Sequence, residues 1–131
     1  MASSPIWRGG GKIFPNSPDE NYRKKLNKKM YRIGMSVILS QLLRDGRLIV
    51  TDMFDIDTHK TKKFTEKLAA YELNEVMLIT SNMSENLYLS SRNVPHVSVV
   101  EVNDVDPVSL LKFEKILFTL DGLQKIEEHL L

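Results

Sequence analysis

Val76-Met77-Leu78-Ile79-Thr80 is a short apolar run closed by a threonine. A run of this length and type predicts a strand buried on both faces. Three similar runs flank it: Leu48-Ile49-Val50-Thr51 upstream, then Val97-Ser98-Val99-Val100-Glu101-Val102 and Ile116-Leu117-Phe118-Thr119 downstream. Helical segments separate the four. Short strands joined by helical crossovers cannot pair as hairpins, so the pattern predicts an α/β domain of three layers, α/β/α, with a four-stranded parallel sheet.

The helix signals are local. From Leu26 the residues Leu26, Met30, Ile33, Val37 and Leu42 keep helical spacing, Asn27 offers a cap, and Gly46 ends the helix after Asp45. Thr58 is the expected cap of the next helix, with Phe64, Leu68 and Tyr71 as its buried stripe. Ser84 begins a short helix that stops near Asn93-Val94-Pro95, and Pro107 suits the first turn of the one after. Asp121 opens the last, through Leu123, Ile126 and Leu130. Upstream, Pro5, Gly9-Gly10-Gly11, Pro15 and Pro18 punctuate a stretch with little periodicity. Residues 1–21 are therefore expected to be an irregular basic arm and residues 22–131 a single globular domain, a size that suits a chain of 131 residues.

The formal net charge of +1 hides two opposite halves. Met1 to Arg47 carries 10 Lys/Arg against 3 Asp/Glu, or +7, while Leu48 to Leu131 carries 8 against 14, or −6. The absence of cysteine excludes disulfides, thiolate chemistry and Cys-based zinc sites and fits a reducing compartment. No apolar run is long enough to span a membrane and no signal-peptide core is visible, so a soluble intracellular protein is expected.

The positive charge is concentrated in Ile6-Trp7-Arg8-Gly9-Gly10-Gly11-Lys12 and in Tyr22-Arg23-Lys24-Lys25-Leu26-Asn27-Lys28-Lys29-Met30-Tyr31-Arg32. In a helix, Lys25 lies over Lys29 and Lys28 over Arg32, and each like-charged pair costs stability. Cations in a first turn also oppose the helix dipole. An anion such as phosphate compensates both.

Other chemistry reads more weakly. Asp55-Ile56-Asp57-Thr58 approaches the Asp-x-Asp-x-Thr of haloacid-dehalogenase-like phosphatases, which use an aspartyl nucleophile and magnesium, but its threonine falls one position early. It sits past the end of the first strand and lacks placeable downstream partners, so a connecting loop is expected instead. Gly9-Gly10-Gly11-Lys12 is followed by Ile13 and preceded by no strand, which rules out a phosphate loop. His59, His96 and His129 lack metal-ligand spacing. Met30, Met35, Met53, Met77 and Met83 read as core and junction fillers. The helix Asn86-Leu87-Tyr88-Leu89-Ser90-Ser91 ends in Arg92-Asn93, where Asn93 suits a left-handed cap and Arg92 a guanidinium fork for RNA phosphates or 2′-hydroxyls.

Ordered blocks then carry a resemblance. Ser4-Pro5-Ile6-Trp7-Arg8-Gly9-Gly10-Gly11, Leu26-Asn27-Lys28-Lys29-Met30-Tyr31-Arg32, Gly46-Arg47-Leu48-Ile49-Val50, Lys60-Thr61-Lys62, Glu85 through Asn93 and Asp106-Pro107-Val108-Ser109-Leu110 resemble the bacterial large-subunit ribosomal protein L-four family. The resemblance implies strand order 1-4-2-3, binding of large-subunit rRNA in early assembly, neighbouring large-subunit proteins as partners, and repression of the protein's own operon through its leader mRNA. It implies a cytoplasmic, ribosomal location, with no catalysis, cofactor, metal, membrane or small-molecule substrate. The RNA-binding residues expected are Trp7, Arg8 and Lys12; Arg23, Lys24, Lys25, Lys28, Lys29 and Arg32; Lys60, Lys62 and Lys63; and Asn86, Arg92 and Asn93. It covers about the C-terminal two-thirds of a family member. The family's long basic loop before Ser-Pro-Ile-Trp, which reaches the peptide exit tunnel, has no counterpart here, so tunnel lining is not expected of this chain. A magnesium-dependent phosphoryl hydrolase and a protein-binding module are the competing classes.

Overall fold

The computed structural model describes residues 3–130; Met1 and Ala2 of the expected arm and Leu131 of the expected domain lie outside the described residues. In chain order the elements are α1 (Lys28–Arg44), β1 (Leu48–Thr51), α2 (Thr61–Ala70), β2 (Val76–Thr80), α3 (Glu85–Ser91), β3 (Val97–Glu101), a 3-10 turn (Val102–Asp104), α4 (Pro107–Lys112), β4 (Lys115–Thr119) and α5 (Leu120–Leu130). The four strands form one all-parallel sheet in the order β1-β4-β2-β3.

The pairing register explains why the central strands are apolar throughout. Ile49, Leu117, Leu78 and Val99 stand level across the sheet and face one way, while Val50, Phe118, Ile79 and Val100 form the adjacent row and face the other. On one face, Met35 and Leu42 of α1, Leu110 of α4 and Ile126 of α5 close over Met77, Ile79, Ile116 and Phe118. On the other, Phe64 and Leu68 of α2 and Leu87 of α3 close over Val76, Leu78 and Leu117. The central strands β2 and β4 are therefore buried on both sides, and the three-layer α/β/α reading holds.

The local stop and start signals largely act as expected. Gly46 takes φ +65 past the end of α1, letting Gly46 N–H donate to Leu43 O and Arg47 N–H to Leu42 O. Ser84 Oγ accepts from Leu87 N–H at 3.3 Å, and Asp106, preceding Pro107 at the first position of α4, accepts from Ser109 N–H at 3.0 Å. The Asp106 carboxyl is held below the usual carboxylate range by its hydrogen bonds to Ser109.

Several expectations are corrected. The buried face of α1 is not the stripe Leu26, Met30, Ile33 and Val37, for Met30, Ile33 and Val37 are 60%, 66% and 62% exposed. The core side chains are Met35 and Leu42, with Ile38 and Leu39 packed beside them, roughly half a turn away around the helix. Thr58 is not a helix cap. Lys60 occupies that position with no side-chain hydrogen bond, and the Thr58 hydroxyl is buried without a partner among the described residues. Tyr71 lies past the end of α2 and is exposed. The left-handed residue after α3 is His96 (φ 61), not Asn93. Met30 and Met53 are exposed rather than core fillers.

Candidate nucleic-acid interface

In a parallel sheet with helical returns, each of α2 to α5 begins at the carboxyl end of the strand before it. α1 turns through Gly46 into the amino end of β1, so its N-terminus points to the same end. At 17 residues α1 is about 25 Å long, against roughly 16 Å for a five-residue strand, and its start overhangs the sheet. Among the described residues, all five α-helix N-termini thus share one end of the domain.

Those five starts are of two kinds. α3, α4 and α5 carry an acid in the cap or first turn, namely Glu85, Asp106 and Asp121, and Ser84 and Asp106 cap the first two. α1 and α2 carry none there, and neither Asn27 nor Lys60 makes a side-chain cap. Instead Lys28 and Lys29 occupy the first turn of α1, and Lys60, Lys62 and Lys63 surround the start of α2; all are exposed. Free backbone N–H groups, the positive dipole end and lysines all favour an anion at these two places. The expected stacking of Lys25 over Lys29 does not occur in a helix, because Lys25 precedes the first turn. Lys28 over Arg32 remains.

The structure separates the remaining candidates. Asn86 is at the same end, but its amide donates to Asp57 O at 3.3 Å and ties α3 to the β1–α2 connection. Arg92 and Asn93 follow α3 on its way into β3 and so lie at the amino end of the sheet, opposite the lysines; both are exposed. Arg23, Lys24 and Lys25 are exposed in the irregular stretch leading into α1, and Trp7, Arg8 and Lys12 are exposed in the arm. Other cations are engaged with the chain's own carbonyls. Arg47 donates to the carbonyls of Glu114 (2.8 Å), Leu111 (3.3 Å) and Phe113 at the end of α4. Lys67 donates to Asp55 O at 2.8 Å with its ammonium 4.6 Å from the Phe54 ring centre, and Lys125 donates to Ser81 O at 3.1 Å.

The Asp-x-Asp segment has a packing explanation. Phe54 and Ile56 are buried in the α2/α3 core, so Asp55 and Asp57 take the alternate, exposed positions of an extended chain. The crevice above the strand ends is lined by Asp52, Asp55 and Asp121 with Thr80, Ser81, Asn82 and Thr119. Open α/β sheets commonly bind ligands in such a crevice. Its three carboxylates disfavour phosphate, in contrast to the lysine-bearing helix starts beside it.

Sequence reasoning gave no role to the exposed side chains Ile6, Ile13 and Phe14 of the arm or to Tyr22 just after it. The signal available was aromatic residues spaced among cations. Glu20 accepts the Tyr22 hydroxyl and raises its pKa above the ordinary phenol value.

The family model described as the ribosomal protein L4/L1 family matches residues 1–129. The chain belongs to this family. It is 55% identical over 126 residues to the large ribosomal subunit protein uL4 of Nitrosomonas eutropha, covering 96% of this chain and 61% of that one. It is 56% identical over 128 residues to the uL4 of an Azoarcus species, covering 98% and 62%, and 52% identical over 127 residues to that of Laribacter hongkongensis, covering 97% and 62%. The chain thus spans less than two-thirds of the length of these L4 relatives. The match runs through the arm as well as the domain, so the Trp7 segment and the lysine-rich helix starts both lie within it.

Proposed function

We propose that the chain is a structural constituent of the large ribosomal subunit that binds large-subunit rRNA and supports early assembly, in the cytoplasm. Family membership supports the ribosomal role. The observation that carries the RNA reading is the contrast among the helix starts: the two without acids or side-chain caps are the two bearing lysines, and both open at one end of the sheet. The residues we assign to RNA are Lys24, Lys25, Lys28, Lys29 and Arg32 with Arg23, then Lys60, Lys62 and Lys63, and the arm residues Trp7, Arg8 and Lys12. Arg92 and Asn93 form a second contact at the far end. Asn86 supports the surface by holding Asp57.

Phosphates supply most of the affinity of such a surface, and the guanidinium and amide at Arg92-Asn93 add shape recognition. Neighbouring large-subunit proteins are the second class of partner, supported by the exposed apolar side chains Met30, Ile33 and Val37 on α1. Repression of the protein's own operon is the same RNA surface applied to a leader mRNA. No catalytic step is assigned: the curated relatives are ribosomal proteins, and the Asp55-x-Asp57 spacing follows from the burial of Phe54 and Ile56.

Titration of a labelled large-subunit rRNA transcript, with unlabelled large- or small-subunit rRNA as competitor, tests this reading. Large-subunit RNA should displace the label at much lower concentration. Equal displacement by the two would reduce the interaction to non-specific charge attraction.

A further inference from the structure

The arm begins with a defined piece of geometry. Trp7 N–H donates to Ser4 O at 3.1 Å, Gly10 N–H to Trp7 O at 2.9 Å and Gly11 N–H to Ser3 O at 3.0 Å, closing residues 3–11 into a compact double turn. Gly9 has φ +81, and a Cβ on Gly10 would overlap the Ser4 carbonyl oxygen, so the turn requires both glycines. The turn does not bury its apolar residues. Ile6 is 90% and Trp7 63% exposed, with Arg8 next in the chain also in solvent. A fixed backbone that holds a large aromatic ring outward beside a guanidinium suits a flat π-system of negatively charged surroundings.

Resting on the RNA-binding reading, we propose that the Ser4–Gly11 turn is a stacking platform on which the Trp7 indole receives an unpaired RNA base. Arg8 and Lys12 hold the adjoining phosphates. Unpaired bases are the part of RNA with an accessible π-face, because a base inside a duplex already stacks on both sides. The turn therefore selects a loop, bulge or junction, while the lysines at the starts of α1 and α2 accept phosphates of either paired or unpaired RNA.

Trp7 is the single tryptophan of the chain, so its emission reports on this turn alone. The full chain is titrated with three probes at equal phosphate concentration: a large-subunit rRNA transcript, single-stranded oligoadenylate and a fully paired RNA duplex. Quenching that saturates with the transcript and the single strand but not with the duplex is expected. Trp7→Ala should weaken single-strand binding by about tenfold, and Trp7→Phe should restore most of it. Gly10→Ala, which opens the turn, should weaken it without shifting the thermal transition of the α/β domain. Equal quenching by duplex and single strand overturns the proposal. So does tight binding of the transcript with unchanged emission and an unaffected Trp7→Ala variant, a result that would leave the rRNA reading standing. Failure of the transcript to bind at all removes both.

Discussion

Asp106 shows how much one side chain fixes locally. Its carboxylate accepts from Ser109 N–H at the start of α4, directly ahead of Pro107, and the hydrogen bonds lower its pKa. Asp106→Ala should cost about 1 kcal/mol, the usual worth of a cap. A depressed carboxylate pKa adds stability above the unfolded-state value and loses it as pH falls through the folded one. Melts of the two proteins should therefore differ at neutral pH and converge in acid; a gap independent of pH would mean that the charge is irrelevant. Arg92 poses a different question, because it stands at the amino end of the sheet, away from the lysines. Arg92→Lys keeps the charge and loses the planar fork. We expect several-fold weaker binding to a folded rRNA fragment and little change with a short oligonucleotide unable to span the domain. Equal binding by the wild type and the Arg92→Lys variant would make this position a generic cation. Residue-level signals such as Ser84 and Pro107 were legible because a cap acts within one turn. The Asn93 expectation failed because the left-handed conformation falls at His96, three residues on, where the chain enters β3 beside Glu75.

Among the elements, α1 is where the pattern misled. It carries apolar residues on two opposite sides, Met30, Ile33 and Val37 on one and Met35, Ile38, Leu39 and Leu42 on the other. Helical periodicity alone cannot choose between them; the choice is made by the sheet beneath, where Met77, Ile116 and Phe118 offer a surface to only one side. Met35→Ala and Leu42→Ala should each cost about 2–5 kcal/mol, and Ile33→Ala less than about 0.5 kcal/mol, in denaturant unfolding. A larger loss at Ile33 than at Leu42 would reverse the assignment of faces. The strands were easier, since a run buried on both faces needs no phase. Their order was not contained in the runs themselves. It came from the family resemblance, and the observed β1-β4-β2-β3 pairing agrees with it.

At the scale of the whole molecule, we propose that the arm and the α/β domain are separate units. Both hydrophobic cores are built from residues between Met35 and Leu130. Removing residues 1–21 should therefore leave a cooperative thermal transition, and a molten product would contradict this. The charge asymmetry between the halves of the sequence was visible at once. Its spatial meaning was not, because only the common direction of the helices places the lysines of α1 and α2 at one end and Arg92 at the other. If the uncapped basic helix starts bind rRNA phosphates, as we propose, the affinity must depend on salt through these lysines. Binding of a large-subunit rRNA fragment is followed from low to high salt for the wild type and for the Lys25→Gln/Lys28→Gln/Lys29→Gln variant, with thermal melts alongside. Three neutralised phosphates correspond to roughly two units of slope in log affinity against log salt. The variant should lose about that much slope while its melting temperature holds or rises slightly, since Lys28 and Lys29 oppose the dipole of α1. An unchanged slope would place the RNA surface elsewhere, and a large fall in stability would show that these lysines serve the fold instead.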